Sequence, residues 1–371
     1  MVAKITYDPV YHTVARDDFL AMIAVDRYEQ RSDVFETIIA RTNEHFWNPE
    51  DPDYIRFDEP LDPEVPILPS SLIVELSSAV ADKLDERQKI QLINECARWD
   101  LSNILHGEQG ALALSCSLCE MFVDPGAQEY MANQVREEAR HVHGFTKYIQ
   151  ARFGGRIYPA GDTLSHLLRQ LVASNEVYEK VVGMQMLVEG LAMGAFSTLY
   201  THSNDPLLRR LCQLTMTDEA FHHQFGKLWA RSTMPRLDSE QHHLVEDWAL
   251  QVFQMLLFNL ITTEQKRHIY AQFGLDWQWV KEAVKEVFTD ANRRADMQDR
   301  TNLFRVLIKT LLKAGIITER TRSEYAVWVD MDELQAEGDR MVGDEIAEGG
   351  LASLRDINQH KRKVVRKIAL L

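Results

Sequence analysis

The feature that most constrains the fold of this chain is a spaced repeat of acidic and histidine residues. Glu138-x-x-His141 places a carboxylate and an imidazole three residues apart, and on a helix such residues share one face. A second copy, Glu219-x-x-His222, follows further along the chain. Composition alone supplies roughly one such match by chance, so neither copy is informative without its surroundings.

Each of these two copies has a further glutamate thirty residues before it. Glu108 precedes Glu138, and Glu189 precedes Glu219, and both outlying carboxylates lie in strongly apolar stretches. A spacing of this size suits two antiparallel helices that are joined by a short turn and meet at mid-height. The sequence therefore predicts two matching halves, each with a lone-glutamate helix and a Glu-x-x-His helix.

A third copy, Glu240-x-x-His243, serves as an internal control. Thirty residues before Glu240 stands Arg210, which is not a carboxylate. This copy is predicted to be the solvated first turn of a helix.

The remaining pattern is helical throughout, and no stretch alternates as strands do, so the chain is predicted to be all-α. A proline-rich segment at 49–69 is predicted to be extended. The predicted core helices are 84–122, 127–153, 162–200 (with interruptions allowed at its glycines) and 206–230, followed by 240–262, 277–293, 301–313 and 320–347. The predicted domains are residues 1–70 (N-terminal helices and a wrapping segment), 71–235 (a bundle of the four core helices) and 236–371 (C-terminal helices packed on that bundle).

Bulk properties exclude several classes of protein. The net charge of −15 disfavours nucleic acid and anionic membranes as partners. Four cysteines in 371 residues give no disulfide framework, and no secretory signal is visible, so a cytoplasmic location is predicted. The apolar run 181–199 contains Glu189 at its centre, which indicates a buried helix rather than a membrane span. The basic segment 360–371 is predicted to be a terminal helix docked on the acidic body.

The chemistry of the repeat points to metal ions. Four carboxylates in a bundle core would repel one another, and each would cost several kcal/mol if it were buried without a partner. Two divalent cations cancel four such charges. Oxygen-rich ligands with one nitrogen per metal favour iron or manganese over structural zinc.

With these residues in place, the sequence resembles the ferritin-like di-iron carboxylate superfamily, and within it the oxidase and oxygenase branch together with ribonucleotide reductase small subunits. The resemblance covers about residues 84–230. It implies that residues 71–235 form a ferritin-like four-helix bundle with a dinuclear metal site, and that the metal ligands are Glu108, Glu138, His141, Glu189, Glu219 and His222. It also implies that Asp218 and Glu137 hydrogen-bond across to the histidine of the opposite half, Asp218 to His141 and Glu137 to His222.

Four positions depart from subfamily patterns. Phe145 stands where ribonucleotide reductase subunits usually carry a radical tyrosine. Ala192 and Met193 stand where multicomponent monooxygenases and desaturases tend to carry a threonine, and Thr215 stands where arylamine N-oxygenases carry an extra histidine. The residues therefore select no single subfamily.

The resulting expectation is an O2-dependent enzyme with two iron ions, a manganese–iron pair being left open, that hydroxylates, N-oxygenates or desaturates a small or medium organic substrate. No nucleotide-binding motif is visible, so an external electron donor such as a ferredoxin or reductase is expected. A homodimer is expected as well. The candidate pocket residues are Leu112, Ser115, Phe145, Gln185, Met193, Phe196, Thr215 and Met216. The alternatives are a radical-generating subunit, a ferroxidase or a non-catalytic helical interaction module.

Other candidates receive simpler interpretations. Cys116-x-x-Cys119 lies within a helix and lacks a partner pair, so core cysteines are expected there rather than a zinc site. His106, His143 and His223 adjoin the ligand positions but point to other faces and are predicted not to bind metal. Gly190 beside Glu189 is predicted to permit a local helix bulge.

Overall fold

The chain is helical throughout the part that the computed structural model describes. That part comprises residues 9–62, 64–261, 263–287, 289, 302–341 and 343–368, with the backbone alone described at 9, 258–261 and 362–368. Within it there is no β-strand, only an isolated antiparallel bridge between Thr13 and Phe122. The all-α prediction is confirmed.

The helices are numbered here in chain order. They are α1 (Phe19–Met22), α2 (Glu36–Arg41), α3 (Glu86–Cys119), α4 (Pro125–Phe153), α5 (Asp162–Ala173), α6 (Val177–His202), α7 (Pro206–Thr233), α8 (Ser239–Ile261), α9 (Arg267–Tyr270), α10 (Trp277–Val287), α11 (Leu303–Lys313), α12 (Arg322–Ala326), α13 (Met331–Ala336) and α14 (Asp344–Ile368). Short 3-10 turns connect several of them, and Val181–Val188 within α6 is a π-helix.

Helices α4 and α7 begin in the same way. Asp124 and Asp205 cap them by accepting hydrogen bonds from backbone N–H groups in the first turn, and proline occupies the first helical position of each. Each capping aspartate precedes the glutamate of a Glu-x-x-His motif by the same number of residues. The two motifs therefore lie at the same height above their helix starts, about 20 Å along the axis.

Four long helices, α3, α4, α6 and α7, pack against one another. Two separate clusters of buried apolar side chains draw on all four. On α3 and α7 the first cluster follows the predicted ligands in sequence, whereas on α4 and α6 it precedes them. Helices α3 and α7 therefore run opposite to α4 and α6, and the acidic and histidine residues form a layer between the two clusters.

Two of the predicted helices are wrong. The span 162–200 is interrupted between α5 and α6, because the Ser174 hydroxyl accepts a hydrogen bond from the Glu176 N–H and donates one to Glu179, which turns the chain. The span 320–347 is divided into α12, α13 and the start of α14, because Asp330 caps α13 through the N–H groups of residues 332 and 333. The ends of the helices predicted at 277–293 and 301–313 fall partly outside the described residues.

Segments from both ends of the chain cover the four long helices. The carbonyl of Ile67, in the proline-rich segment, accepts hydrogen bonds from Ser203 and Asn204 just before α7. Helix α14 packs on α7, and Lys361 near its end forms ion pairs with Asp51 and Asp53. The last three residues of the basic segment lie outside the described part. The division into three domains stays a prediction.

Helix α6 is long and apolar enough to cross a membrane by length and composition. Nearly three quarters of its most apolar window is buried inside the protein (72%), as in a core helix, so this finding is weak evidence for a span.

Candidate metal centre

The structure brings the six candidate ligands together from four helices. Each is at most 5% exposed. They form two groups whose ligand atoms lie within 4.8 Å of one another. The first group is Glu108, Glu138, His141 and Glu219, and the second is Glu138, Glu189, Glu219 and His222. Glu138 and Glu219 belong to both groups, so the two groups share an edge.

In the first group, three carboxylates surround one imidazole nitrogen. Nδ1 of His141 lies 3.1 Å from Oε2 of Glu108, 3.3 Å from Oε2 of Glu138 and 3.0 Å from Oε1 of Glu219. A ring nitrogen carries at most one hydrogen and cannot donate to three acceptors. Donors bound to one metal at about 2.1 Å and at right angles are about 3.0 Å apart, so these spacings suit a shared cation.

The second group repeats this arrangement around the other histidine. Nδ1 of His222 lies 3.1 Å from Oε1 of Glu138 and 3.0 Å from Oε2 of Glu219. Glu189 approaches from α6, directly after the π-helical segment. The sequence predicted a bulge beside Glu189, and the irregular segment precedes the glutamate rather than including Gly190.

The outward nitrogen of each histidine faces an acid from the opposite half. Nε2 of His141 lies 2.9 Å from Oδ2 of Asp218, and Nε2 of His222 lies 3.0 Å from Oε2 of Glu137. These two contacts are called the histidine–carboxylate pairs below. A carboxylate at Nε2 favours a hydrogen there, so Nδ1 is the nitrogen that would lose its hydrogen and direct a lone pair at a metal in the carboxylate cluster.

The buried carboxyl groups differ in how their pKa values are shifted. Burial raises the pKa of Glu108 to about 8, and burial together with Glu219 and Glu138 raises the pKa of Glu189 well above its ordinary value. Burial also opposes the ionisation of Glu138 and Glu219, yet the charge of His222 outweighs it and lowers the pKa of both. Without cations, the cluster therefore retains protons at Glu108 and Glu189.

Three residues that contact Asp218 were not identified from the sequence. Nε1 of Trp47 donates to Oδ2 of Asp218 at 2.8 Å, Nη2 of Arg140 donates to the same oxygen at 2.9 Å, and Nδ1 of His45 lies 2.6 Å from Oδ1. Burial raises the pKa of Asp218, but Arg140, His141 and His45 together hold it well below its usual range. His45 and Trp47 lie outside the four long helices, where no motif marks them.

Gln134 was also missed, although helical spacing could have indicated it. It lies one turn before Glu138, and its Nε2 donates to Oε1 of Glu138 at 3.0 Å and to Oε1 of Glu189 at 3.3 Å. The amide therefore links a carboxylate shared by both groups to one that belongs to the second group only.

The eight candidate pocket residues lie in several different surroundings. The rings of Phe145 and Phe196 stack at 5.6 Å, and both belong to the second apolar cluster, as do Met193 and Met216. The polar members Ser115, Gln185 and Thr215 are fully buried, with side-chain polar atoms that have no hydrogen-bond partner in the described part of the chain. Leu112 is half-buried and belongs to neither cluster.

The other histidines occupy separate environments. Nε2 of His106 contacts the carbonyl oxygen of Tyr158 at 2.8 Å, and Nε2 of the exposed His143 lies 2.8 Å from Oε1 of Glu50. His223 is buried against Thr310, and burial lowers its pKa to about 3.

The remaining sequence candidates lie away from the cluster. The third Glu-x-x-His copy is exposed at both residues in the first turn of α8, as predicted. The expectation of core cysteines is wrong for Cys116, which is exposed because it lies on the outer face of α3. A surface groove of about 740 Å³ lies elsewhere, lined in part by Phe57, Leu61 and Phe153, and shares no residue with the acidic cluster.

These buried glutamate and histidine groups are able to bind a metal ion. A scan against models of known protein families returns no match to this chain, and a search of curated proteins returns none either.

Proposed function

We propose that this protein is a ferritin-like di-iron carboxylate enzyme that activates O2 and oxidises a small or medium organic substrate. The observation that carries the proposal is the pair of edge-sharing groups, in which two glutamates belong to both and each histidine directs Nδ1 inward. Six oxygen and nitrogen donors from four helices suit two iron ions better than structural zinc, which prefers tetrahedral sites with thiolate or histidine ligands.

The chain's own residues supply three functions in such an enzyme. The glutamates and histidines hold the ions, which supply the oxygen chemistry when bound. The histidine–carboxylate pairs fix the orientation of both imidazoles. The two apolar clusters on either side of the site exclude water from it, which prevents side reactions of oxidised species.

An oxidase or oxygenase is favoured over a radical-generating subunit. Phe145 lies within the apolar cluster and stacks on Phe196, so the position that the resemblance assigns to a radical tyrosine has no oxidisable hydroxyl group. Reduction of the site would require an external donor or the substrate itself.

The test is to load the metal-free protein with Fe(II) anaerobically, count bound iron, and then add O2 while recording the absorption spectrum. We expect about two iron ions per chain, and a spectral change on oxygenation that decays faster when a substrate is present. A stable radical signal without substrate would instead favour the radical-generating alternative.

A matched pair of double variants tests the ligand assignment. Glu138→Ala with Glu219→Ala removes both shared carboxylates. We expect this variant to bind fewer than about one ion per chain and its Tm not to rise when metal is added. In the wild type, an ion at a hundredfold excess over its Kd should raise the free energy of unfolding by about 3 kcal/mol. Glu240→Ala with His243→Ala removes the exposed copy of the motif and should leave two ions bound. Retention of both ions in the first variant would contradict the assignment.

A further inference from the structure

His45 occupies a position between the two halves of the proposed metal centre. Its side chain is 1% exposed, and it reaches Asp218 across 173 residues of sequence. It lies in neither a lone-glutamate helix nor a Glu-x-x-His helix, and its ring stacks on Phe221 with centroids 4.4 Å apart. Its two nitrogens therefore have fixed directions.

The two nitrogens of His45 face the two acids of the histidine–carboxylate pairs. Nδ1 lies 2.6 Å from Oδ1 of Asp218, and Nε2 lies 3.7 Å from Oε1 of Glu137. Nε2 of His45 and Oε1 of Glu137 are both buried, and neither has a hydrogen-bond partner in the described part of the chain. The distance between these two atoms is longer than a direct hydrogen bond, but the ring nitrogen and the carboxylate oxygen face each other across it.

The other oxygen of each acid already contacts a ligand histidine. Oδ2 of Asp218 faces His141, and Oε2 of Glu137 faces His222. His45 thus lies between the two acids, in a row of five side chains that leads from one inward-pointing imidazole to the other.

The backbone on both sides of His45 is held by the C-terminal helix. Nδ2 of Asn358, on α14, donates to the carbonyl of Phe46 at 2.8 Å and to that of Glu44 at 3.4 Å, and Arg355 forms an ion pair with Glu44. Oδ1 of Asn358 accepts a hydrogen bond from Tyr54 at 2.6 Å. These contacts hold the backbone around His45 from outside the four long helices.

We propose that His45 is a positioning residue that joins the two histidine–carboxylate pairs and so orients one ligand in each half of the site. This inference rests on the proposed metal centre but not on its reaction with O2.

Two substitutions separate the two contacts. His45→Asn keeps an amide N–H close to the position of Nδ1, so it can still donate to Asp218, but it is too short to approach Glu137. His45→Phe retains a ring against Phe221 and removes both contacts. His106→Phe is the matched control, because it removes a histidine contact to a carbonyl oxygen outside the cluster.

The first measurement uses the metal-free protein labelled with ¹⁵N-histidine. We expect His45→Asn to shift the ring nitrogens of His222 and leave those of His141 in place, and His45→Phe to shift both. The control should shift neither. If His45→Asn left both ligand histidines as in the wild type, or if His45→Phe shifted no more than the control, the joining role would be overturned.

The second measurement is competition for Mn(II) with a chromophoric chelator. We expect His45→Phe to weaken both metal positions by about 10- to 100-fold and His45→Asn to weaken one of them by that factor. If the wild type bound fewer than two ions while the two variants showed the expected nitrogen shifts, the proposed function would be contradicted and the joining role would stand. Two wild-type ions that are held equally well in both variants would contradict the joining role alone.

Discussion

Glu108 and Glu189 have raised pKa values, whereas Glu138 and Glu219 have lowered ones, although all four are buried. The difference follows from position, because the last two lie beside His222. Glu108 and Glu189, which each belong to only one of the two ligand groups, therefore hold protons that a cation must displace.

Metal affinity should consequently depend on pH. A carboxyl group with a pKa of about 8, such as Glu108, is mostly protonated at neutral pH, so binding releases protons. We expect the apparent affinity for Mn(II) to fall by at least about tenfold between about pH 8 and about pH 6. Calorimetry in buffers of different ionisation enthalpy measures the released protons, and a pH-independent affinity without proton release would contradict this expectation.

Replacing Asp218 should lower the metal affinity of the site, although Asp218 is not one of the candidate ligands. Asp218→Asn removes the charge opposite Arg140 and presents an amide to donors from His45, Trp47 and His141. We expect the affinity of one metal position to fall about 10- to 100-fold while the other changes little. Titration of the variant with Mn(II) checks this, and equal weakening of both positions would contradict it.

At the scale of the residue, the sequence identifies residues whose spacing places them on one face of a helix. Helical spacing identifies the six candidate ligands, and the family resemblance adds the acids at 137 and 218. His45 and Trp47 escape the same reasoning, because they reach Asp218 through tertiary contacts that no local pattern encodes.

At the scale of the helices, some boundaries follow from local sequence signals and others depend on contacts that those signals do not include. The Asp-Pro starts of α4 and α7 fix those helices closely, whereas the break before α6 depends on one hydroxyl group, that of Ser174, within an otherwise helical pattern. The π-helical segment 181–188 is fully apolar apart from Gln185 and follows from packing rather than from any signal that helical periodicity provides.

Two glycines on long helices provide a matched test of this packing. A Cβ atom at Gly183 would lie 2.3 Å from Cδ2 of Leu171, which is fully buried on α5, whereas a Cβ atom at Gly107 meets no atom within 4 Å. We expect Gly183→Ala to lower the free energy of unfolding by about 1–3 kcal/mol. Gly107→Ala should raise it by up to about 1 kcal/mol. Denaturant unfolding of the metal-free variants measures both, and equal effects would contradict the close approach.

Glu246 ties α8 to the turn before α12. Its carboxylate accepts hydrogen bonds from Thr318, Thr321 and Arg320. Burial opposes ionisation, but these donors outweigh it and lower the pKa to about 2 from an ordinary 4.5. Because the folded pKa is depressed, the stabilisation is present above about pH 4.5 and is lost as the pH falls toward 2.

We therefore expect Glu246→Gln to cost about 1.5–3 kcal/mol at neutral pH and progressively less below about pH 4.5. Glu240→Gln, at an exposed glutamate on the same helix, should change stability by less than about 0.5 kcal/mol. Urea unfolding at several pH values measures the difference, and a cost that grows on acidification would contradict the sign.

At the scale of the whole molecule, the four long helices bring the acidic layer together between two apolar clusters, and the chain ends complete it. The N-terminal segment contributes His45 and Trp47, and α14 holds the backbone around them. The sequence predicts the helical layer well, since its repeat is internal to it. It does not predict the closure from the ends, which depends on contacts between residues far apart in the chain, such as those of Asn358 with Glu44 and Phe46.

The most direct test of the metal centre is anomalous diffraction at the iron edge from crystals of the protein loaded anaerobically with Fe(II). We expect two iron peaks about 3.5–4 Å apart, one beside Nδ1 of His141 and the other beside Nδ1 of His222, with Glu138 and Glu219 between them. Absence of peaks there, or a single ion among His45, Glu137 and Asp218, would contradict the dinuclear site.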